Sequence, residues 1–316
     1  MTAKRVIDSK QAVPVKGWGL SWADGLLLLT VFFWGVNFSV VKFALAEIPP
    51  LAFNGVRFIV ASVTMLVLAR ATGHRYNFQR RHLVYLIGLG LLGNTAYQLF
   101  FILGVADTTA DNASLILATV PAWVALIGTL AGVERVETKG WLGVGVALAG
   151  IILIILGSDR QAQFEFGGAT LRGDVLILLA TLCWSCYTLL TRPMMRHYSS
   201  ASVTSFSTLM GTIPLLLVSI PSFTRLNWTG VPLTAWAALI FSGIFGIALA
   251  YFFWNYGVSR LGSARTALYS NLTPPIALLT AWIWLGETLT PQQWGGALLA
   301  LLGVILARRF TYAVSK

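Results

Sequence analysis

Two helical stripes carry most of the residues able to recognise another molecule. In "VFFWGVNFSVVKFALAEIPP", residues 31 to 50, Trp34, Asn37, Phe38, Val41 and Lys42 stand at offsets 0, 3, 4, 7 and 8, which place them on one helix face. The pattern recurs after a shift of 150 residues as Trp184, Tyr187, Thr188, Thr191 and Arg192. Each stripe offers an aromatic ring, neutral hydrogen-bonding groups and a terminal cation, which is the chemistry of non-covalent recognition. Covalent chemistry has little support. Cys183 and Cys186 form a C-x-x-C with no soluble redox pattern around it, and His74, His82 and His197 fall in loops or at the ends of apolar runs. No set of nucleophile, acid and base converges, so the residues call for no enzyme, no cofactor and no metal.

The elements that must hold these stripes are membrane-spanning helices. The chain of 316 residues is 57% hydrophobic and 10% charged, with a mean hydropathy of +0.76, whereas a soluble domain carries roughly 25% charged residues. Runs rich in Leu, Ala and Gly recur near the ~20 residues that cross a hydrocarbon core, which favours helices over a barrel. Ten spans are expected, over about 23–46, 52–71, 82–105, 110–132, 138–157, 173–193, 198–220, 234–259, 264–285 and 291–309. Residues 1–22 read as a flexible arm without an apolar core, 158–172 as a linker outside the membrane, and 310–316 as a tail.

Charge sets the expected orientation. With a cytoplasmic N-terminus, inner segments hold 17 Lys and Arg against three outside (Arg160, Arg172 and Arg225), a strong positive-inside bias that also puts the C-terminus in the cytoplasm. This topology accounts for the net charge of +11 without a nucleic-acid partner.

Self-comparison shows why the stripes come in pairs. A shift of 153 residues superposes 104–153 on 257–306 without a gap, matching Pro121 with Pro274, Glu134 with Glu287, Trp141 with Trp294, and Gly143 and Gly150 with Gly296 and Gly303, and upstream of that stretch it also sets Gly93 on Gly246. Residues 23–157 and 173–309 are therefore read as two five-helix repeats. Five spans is an odd number, so the second copy is inverted in the membrane, as in secondary transporters.

The interior is aromatic and neutral-polar. Tyr97, Gln98 and Phe101 come from the third span, Tyr251 and Trp254 from the eighth, and Asn271 from the ninth. For Trp34, Trp184 and Tyr97, away from span ends, two readings stand: lining of a cavity, or packing between helices. Pro121, Pro274 and Pro275 interrupt spans in matching places, as kinks packed on a neighbour or as hinges beside a wet cavity. Lys42 either snorkels to the outer surface or bends to the cavity mouth to meet a carboxylate, and Arg192 falls at the cytoplasmic surface. Glu47 and Arg57 flank the outer end and could pair as a structural latch. Glu134 and Glu287 precede helices whose positive ends they would favour. All eleven carboxylates avoid span centres, which disfavours cationic cargo, and Lys42 and Arg57 alone are too few for a strongly anionic one.

These features resemble the drug/metabolite transporter superfamily, in particular its EamA-type ten-helix exporters. The resemblance rests on "FFWGVNFSVVKFAL", on "PPLAFNGVRFIVASVTML", and on the paired "GVERVETKGWLG" and "LGETLTPQQWGG". It implies a carrier of the bacterial inner membrane that works by alternating access and exports small neutral or zwitterionic metabolites, amino acids including aromatic ones among them. The "AYQLFF" and "CWSCY" segments are most similar to aromatic amino acid exporters. Its partners would be a small-molecule substrate and membrane lipid, with the oligomeric state left open and a monomer compatible with it. The chain lacks the first-helix glutamate of the small multidrug branch and the clustered lysines of sugar-phosphate carriers. A solute pore, or an exporter of other metabolites or drugs, is the alternative reading.

Overall fold

The computed structural model describes residues 21–71, 77–108, 113, 116–156, 168–277, 279 and 290–313. Most of the expected arm and linker, the last three residues of the tail, Asp111 and Glu287 lie outside the described residues.

The chain is nearly all helical. Helix α1 (Trp22–Leu45) opens on a reciprocal cap, in which the Ser21 side chain accepts from the Asp24 backbone and the Asp24 carboxylate accepts from the Ser21 backbone. Helix α2 (Pro50–Ala71) follows, then α3 (Arg80–Asp107), α4 (Val120–Leu130), α5 (Thr138–Leu156), α6 (Gly168–Met194), α7 (Ser200–Arg225), α8 (Leu233–Leu261), α9 (Ser263–Leu268) and α10 (Pro291–Arg309). Among the described residues, six of these are long and apolar enough to cross a membrane: α1, α2, α3, α6, α7 and α8. Shorter apolar helices lie in the expected fourth, fifth and tenth spans. A two-stranded antiparallel ribbon joins β1 (Glu134–Val136) to β2 (Thr311–Ala313), with Glu134 opposite Ala313. Its second strand comes from the segment expected to be a plain tail.

Packing partners recur with their roles exchanged. Helix α3 lies against α6 and α8 against α1, while α2 pairs with α7 and α5 with α10. The α5–α10 seam explains the glycine series. A Cβ added at Gly150 would meet backbone atoms of Gly296 and Ala300, one at Gly303 the backbone of Ala147, and one at Gly143 the backbone of Ala307. The small residues let two backbones touch, so dispersion and close packing hold this pair together.

Two departures from regular helix also correspond. Residues Leu91–Ala96 within α3 and Ser242–Leu249 within α8 are π-helical, and the 153-residue shift maps 91–96 onto 244–249. Gly93 and Gly246 sit in these segments. The space a Cβ would need is filled by the Tyr187 ring at Gly93 and by the Asn37 amide at Gly246. Asn37 and Tyr187 are themselves counterparts in the two stripes, so each stripe is seated in the irregular turn of the opposite half.

Pro121, Pro274 and Pro275 stand in the first turns of helical segments and not in mid-helix. Pro121 is in the first turn of α4, after a turn at 118–119 in which Thr119 N–H donates to Ile116 O. Pro274 and Pro275 stand in the helical residues 273–277, directly after the 3-10 turn Tyr269–Leu272 that ends α9. A first-turn proline lacks only an N–H that would have no intrahelical partner, so these positions cost less than the mid-span kinks expected from sequence.

Candidate functional site

At the meeting of α1, α3, α6 and α8, aromatic rings form one continuous cluster around Trp184. Its indole lies 4.9 Å from Tyr97, 4.8 Å from Tyr251, 5.2 Å from Tyr187 and 5.7 Å from both Trp34 and Trp254, centroid to centroid. Phe101 joins through Tyr97 at 5.8 Å and Phe38 through Phe101 at 6.1 Å. The polar tips of Trp34, Trp254, Tyr187 and Tyr251 are tied down. Trp34 Nε1 donates to Gly246 O at 3.1 Å, and Trp254 Nε1 donates to Thr188 Oγ1 at 3.2 Å. Tyr187 OH accepts from Asn255 Nδ2 at 2.8 Å. Trp34 and Trp184, paired by the 150-residue shift, touch each other; so do Gln98 and Tyr251, paired by the 153-residue shift, through a 2.7 Å bond from Gln98 Nε2 to Tyr251 OH. The cluster therefore lies where the two halves meet.

Of the residues singled out from sequence, the structure gathers Trp34, Tyr97, Gln98, Phe101, Trp184, Tyr187, Thr188, Tyr251 and Trp254 here. Asn37 is buried beside Gly246, with its Oδ1 unpartnered. Asn271 is buried on the 3-10 turn with neither amide atom hydrogen-bonded. Lys42 stands apart, exposed in the last turn of α1.

Arg57 is the residue that sequence reasoning misplaced. It forms no latch with Glu47: it is 1% exposed, and its guanidinium donates to Asn54 Oδ1 at 2.7 Å, Gln98 Oε1 at 2.6 Å and Ser242 Oγ at 3.2 Å. The asparagine one turn before it, facing the same way, was the available signal. Snorkelling is cheap near a helix end and competes as an explanation of any lone cation there.

Glu134 also departs from its expected role. It does not serve the helix it precedes: its buried carboxylate accepts from the backbone N–H of Ser263, the first residue of α9, at 2.9 Å and faces Arg192 at 3.5 Å. Burial raises the Glu134 pKa above the ordinary carboxylate range, against the opposing pull of Arg192 and the Ser263 hydrogen bond. These groups, with Val133, Leu189, Pro193 and Arg196, line a pocket at the ribbon end of the bundle. Arg192→Ala strands the buried carboxylate, and a loss of about 1–3 kcal/mol is expected, read as a lower unfolding temperature in detergent. Adding Glu134→Gln should restore most of that loss; no recovery in the double variant would show that the pair does not couple.

At the opposite end, Arg172 pairs with Asp107 at 2.7 Å and Thr108 donates to Asp174, joining α3 to the start of α6. Among the described residues no group of three or more His, Cys, Asp or Glu is placed to hold a metal.

A bundle of apolar helices whose halves meet around an aromatic centre, with polar latches at either end, has the parts of a solute carrier. Known proteins agree. The chain is 28% identical to the "Probable amino-acid metabolite efflux pump" of Salmonella typhimurium (strain LT2) over 297 residues, covering 91% of this chain and 95% of that protein. It is 28% identical to the "Probable terminal-alkyne amino-acid exporter" of Streptantibioticus cattleyicolor over 292 residues, 92% and 95% of the two chains. The transporter YyaM of Bacillus subtilis (strain 168) is 26% identical over 285 residues, 89% of this chain and 92% of that one. A crystal structure sharing 19% identity superposes with a TM-score of 0.76 over 90% of this chain and 96% of the other, which shows a common fold. The EamA-like transporter family matches twice, over residues 21–156 and 171–309. Two family matches in one chain, one for each half that the sequence repeat marked out, leave one conclusion: this protein is a multi-pass membrane transporter belonging to the EamA-like transporter family.

Proposed function

We propose that the protein exports small neutral or zwitterionic metabolites, amino acids with aromatic or apolar side chains foremost, by alternating access between two inverted five-helix repeats, 23–157 and 173–309. The observation that carries this reading is the ring cluster around Trp184: a solute with an apolar body can replace ring–ring contacts by equivalent ones as it passes. Two relatives named for amino-acid export support the substrate class. Trp34, Asn37, Tyr97, Gln98, Phe101, Trp184, Tyr187, Thr188, Tyr251, Trp254 and Asn271 line the path in this reading, and Lys42 guards its outer mouth. The breaks before Pro121 and Pro274 serve as hinges. Glu134, Arg192 and Ser263 join three chain segments at the ribbon end and act as the cytoplasmic gate.

The test is counterflow in proteoliposomes with labelled phenylalanine, tryptophan, leucine and a cationic amine. Saturable exchange of the first three is expected; exchange of the amine alone would overturn the substrate class, and non-saturable flux would favour a pore.

Placement in the inner membrane with both termini in the cytoplasm follows from the positive-inside bias. In a variant free of Cys183 and Cys186, a cysteine at Thr229 should react with a membrane-impermeant maleimide in spheroplasts and one at Gln79 should not. Both positions are exposed. The opposite pattern would invert the topology.

A further inference from the structure

Arg57 is a buried cation with neutral partners only. Asn54, Gln98 and Ser242 supply its three hydrogen bonds, its Nε has no partner, and among the described residues no carboxylate lies within ion-pair distance. Holding an unneutralised charge inside a membrane bundle costs several kcal/mol, so the position calls for a reason beyond packing.

The repeat tests whether packing is that reason. A Cβ at Gly243 would meet Arg57 O and Val60, and one at Gly90 would meet Ser207 O and Met210. This match makes Ser207 the counterpart of Arg57, with Thr204 the counterpart of Asn54. In the second half Ser207 Oγ donates to Thr204 O, and Thr204 Oγ1 accepts from Asn255. The same helix crossing is built there without any charge. The fold does not need the cation; only one half carries it.

Its surroundings suit a ligand. The Arg57 partner Gln98 also donates to Tyr251 OH, a member of the ring cluster, so the guanidinium is one residue removed from the aromatic surface. Ser242 opens the π-helical segment of α8, and Gln98 comes two residues after that of α3. One of the three bonds to Arg57 thus comes from a π-helical segment and a second from the turn just after another, an irregularity frequent at functional sites.

We infer that Arg57 anchors the carboxylate of the transported solute, and that recognition reads the carboxylate and not the amino group. This rests on the export reading above and deepens it. A guanidinium offers a planar pair of N–H groups that matches a carboxylate in bidentate fashion, and its present neutral acceptors yield to a charged one. No acidic side chain among the described residues stands at this cluster to bind an ammonium. Des-amino acids should therefore bind as amino acids do.

The experiment is binding to the full-length protein in nanodiscs, followed by tryptophan fluorescence, with four probes: phenylalanine, 3-phenylpropanoate, phenylalaninamide and 4-methylpentanoate. Phenylalanine and 3-phenylpropanoate are expected to bind within a few-fold of each other and the amide about 10–100-fold more weakly, the range for one charge-assisted hydrogen-bonded pair. Arg57→Gln should erase that discrimination while Arg57→Lys keeps part of it. The probe series on the parent protein needs no variant to fold. An amide that binds as well as the acids overturns the inference, as does an Arg57→Gln protein that still discriminates. If 4-methylpentanoate alone binds, and through Arg57, the carboxylate anchor stands and the aromatic substrate class falls. If no probe binds, both fall.

Discussion

Gly150→Leu should leave no folded, monodisperse protein. The Gly150 Cα lies against the α10 backbone, and a Cβ there would sit 2.6 Å from Gly296 O, a contact that no side-chain rotation relieves. Overpacking of a tight core costs typically about 1–3 kcal/mol even where side chains can shift; against backbone it must move a whole helix. Gly150→Ala should already lower the unfolding temperature clearly. Gly145 and Gly295 lie on the same two helices with nothing within 4 Å of the added atom, and their alanine variants should match or exceed the parent, because alanine is the better helix former by about 1 kcal/mol. Fluorescence-detected size exclusion with a thermal ramp reads all four. A Gly150→Leu protein as stable as the parent would mean that the α5–α10 seam is not a fixed contact.

Transport should depend on Trp184 more steeply than stability does. Trp184 is 3% exposed and central to the ring cluster, so Trp184→Ala combines a cavity penalty of about 3–5 kcal/mol with loss of function. Trp184→Phe separates the two effects. Phenylalanine preserves an aromatic surface against Tyr97 and Tyr251 and should keep the unfolding temperature within a few degrees of the parent. Counterflow of aromatic solutes should still fall at least several-fold, because the edge that meets Trp34 is gone. Normal counterflow with Trp184→Phe, and with Tyr97→Phe as a second probe, would move the transport path away from this cluster.

Much of this architecture was legible in the residues. Apolar runs of membrane-crossing length, the gapless superposition of the two halves and the glycine series pointed to paired repeats with a close helix seam, and the stripe offsets brought Trp34, Trp184, Tyr187 and Thr188 to one centre. The π-helical turns were not legible. "LLGNTA" and "SGIFGIAL" still read as helix within long apolar runs, and their widened turns lie where Tyr187 and Asn37 fill the space beside Gly93 and Gly246, a tertiary contact with no local signature. Arg57 was misread for a related reason: its span suggested a location near the surface, while its rotation toward Gln98 and Ser242 depends on three helices meeting. Glu134 likewise acquires its partners from residues 58 and 129 positions further along the chain.

The β1–β2 ribbon gives the end of the chain a mechanical role. Thr311–Ala313 are hydrogen-bonded to Glu134–Val136, next to the carboxylate that meets Arg192 and Ser263, and Phe310 O accepts from Glu137 N–H at 3.0 Å. Strand β2 is thus a handle on the ribbon end: a force or a change applied at residues 311–313 reaches the loop that carries Glu134. In the gating proposed above, a purification tag placed there would bias the very opening it was meant to observe, and a binding domain tethered there would turn its ligand into a regulator of the carrier.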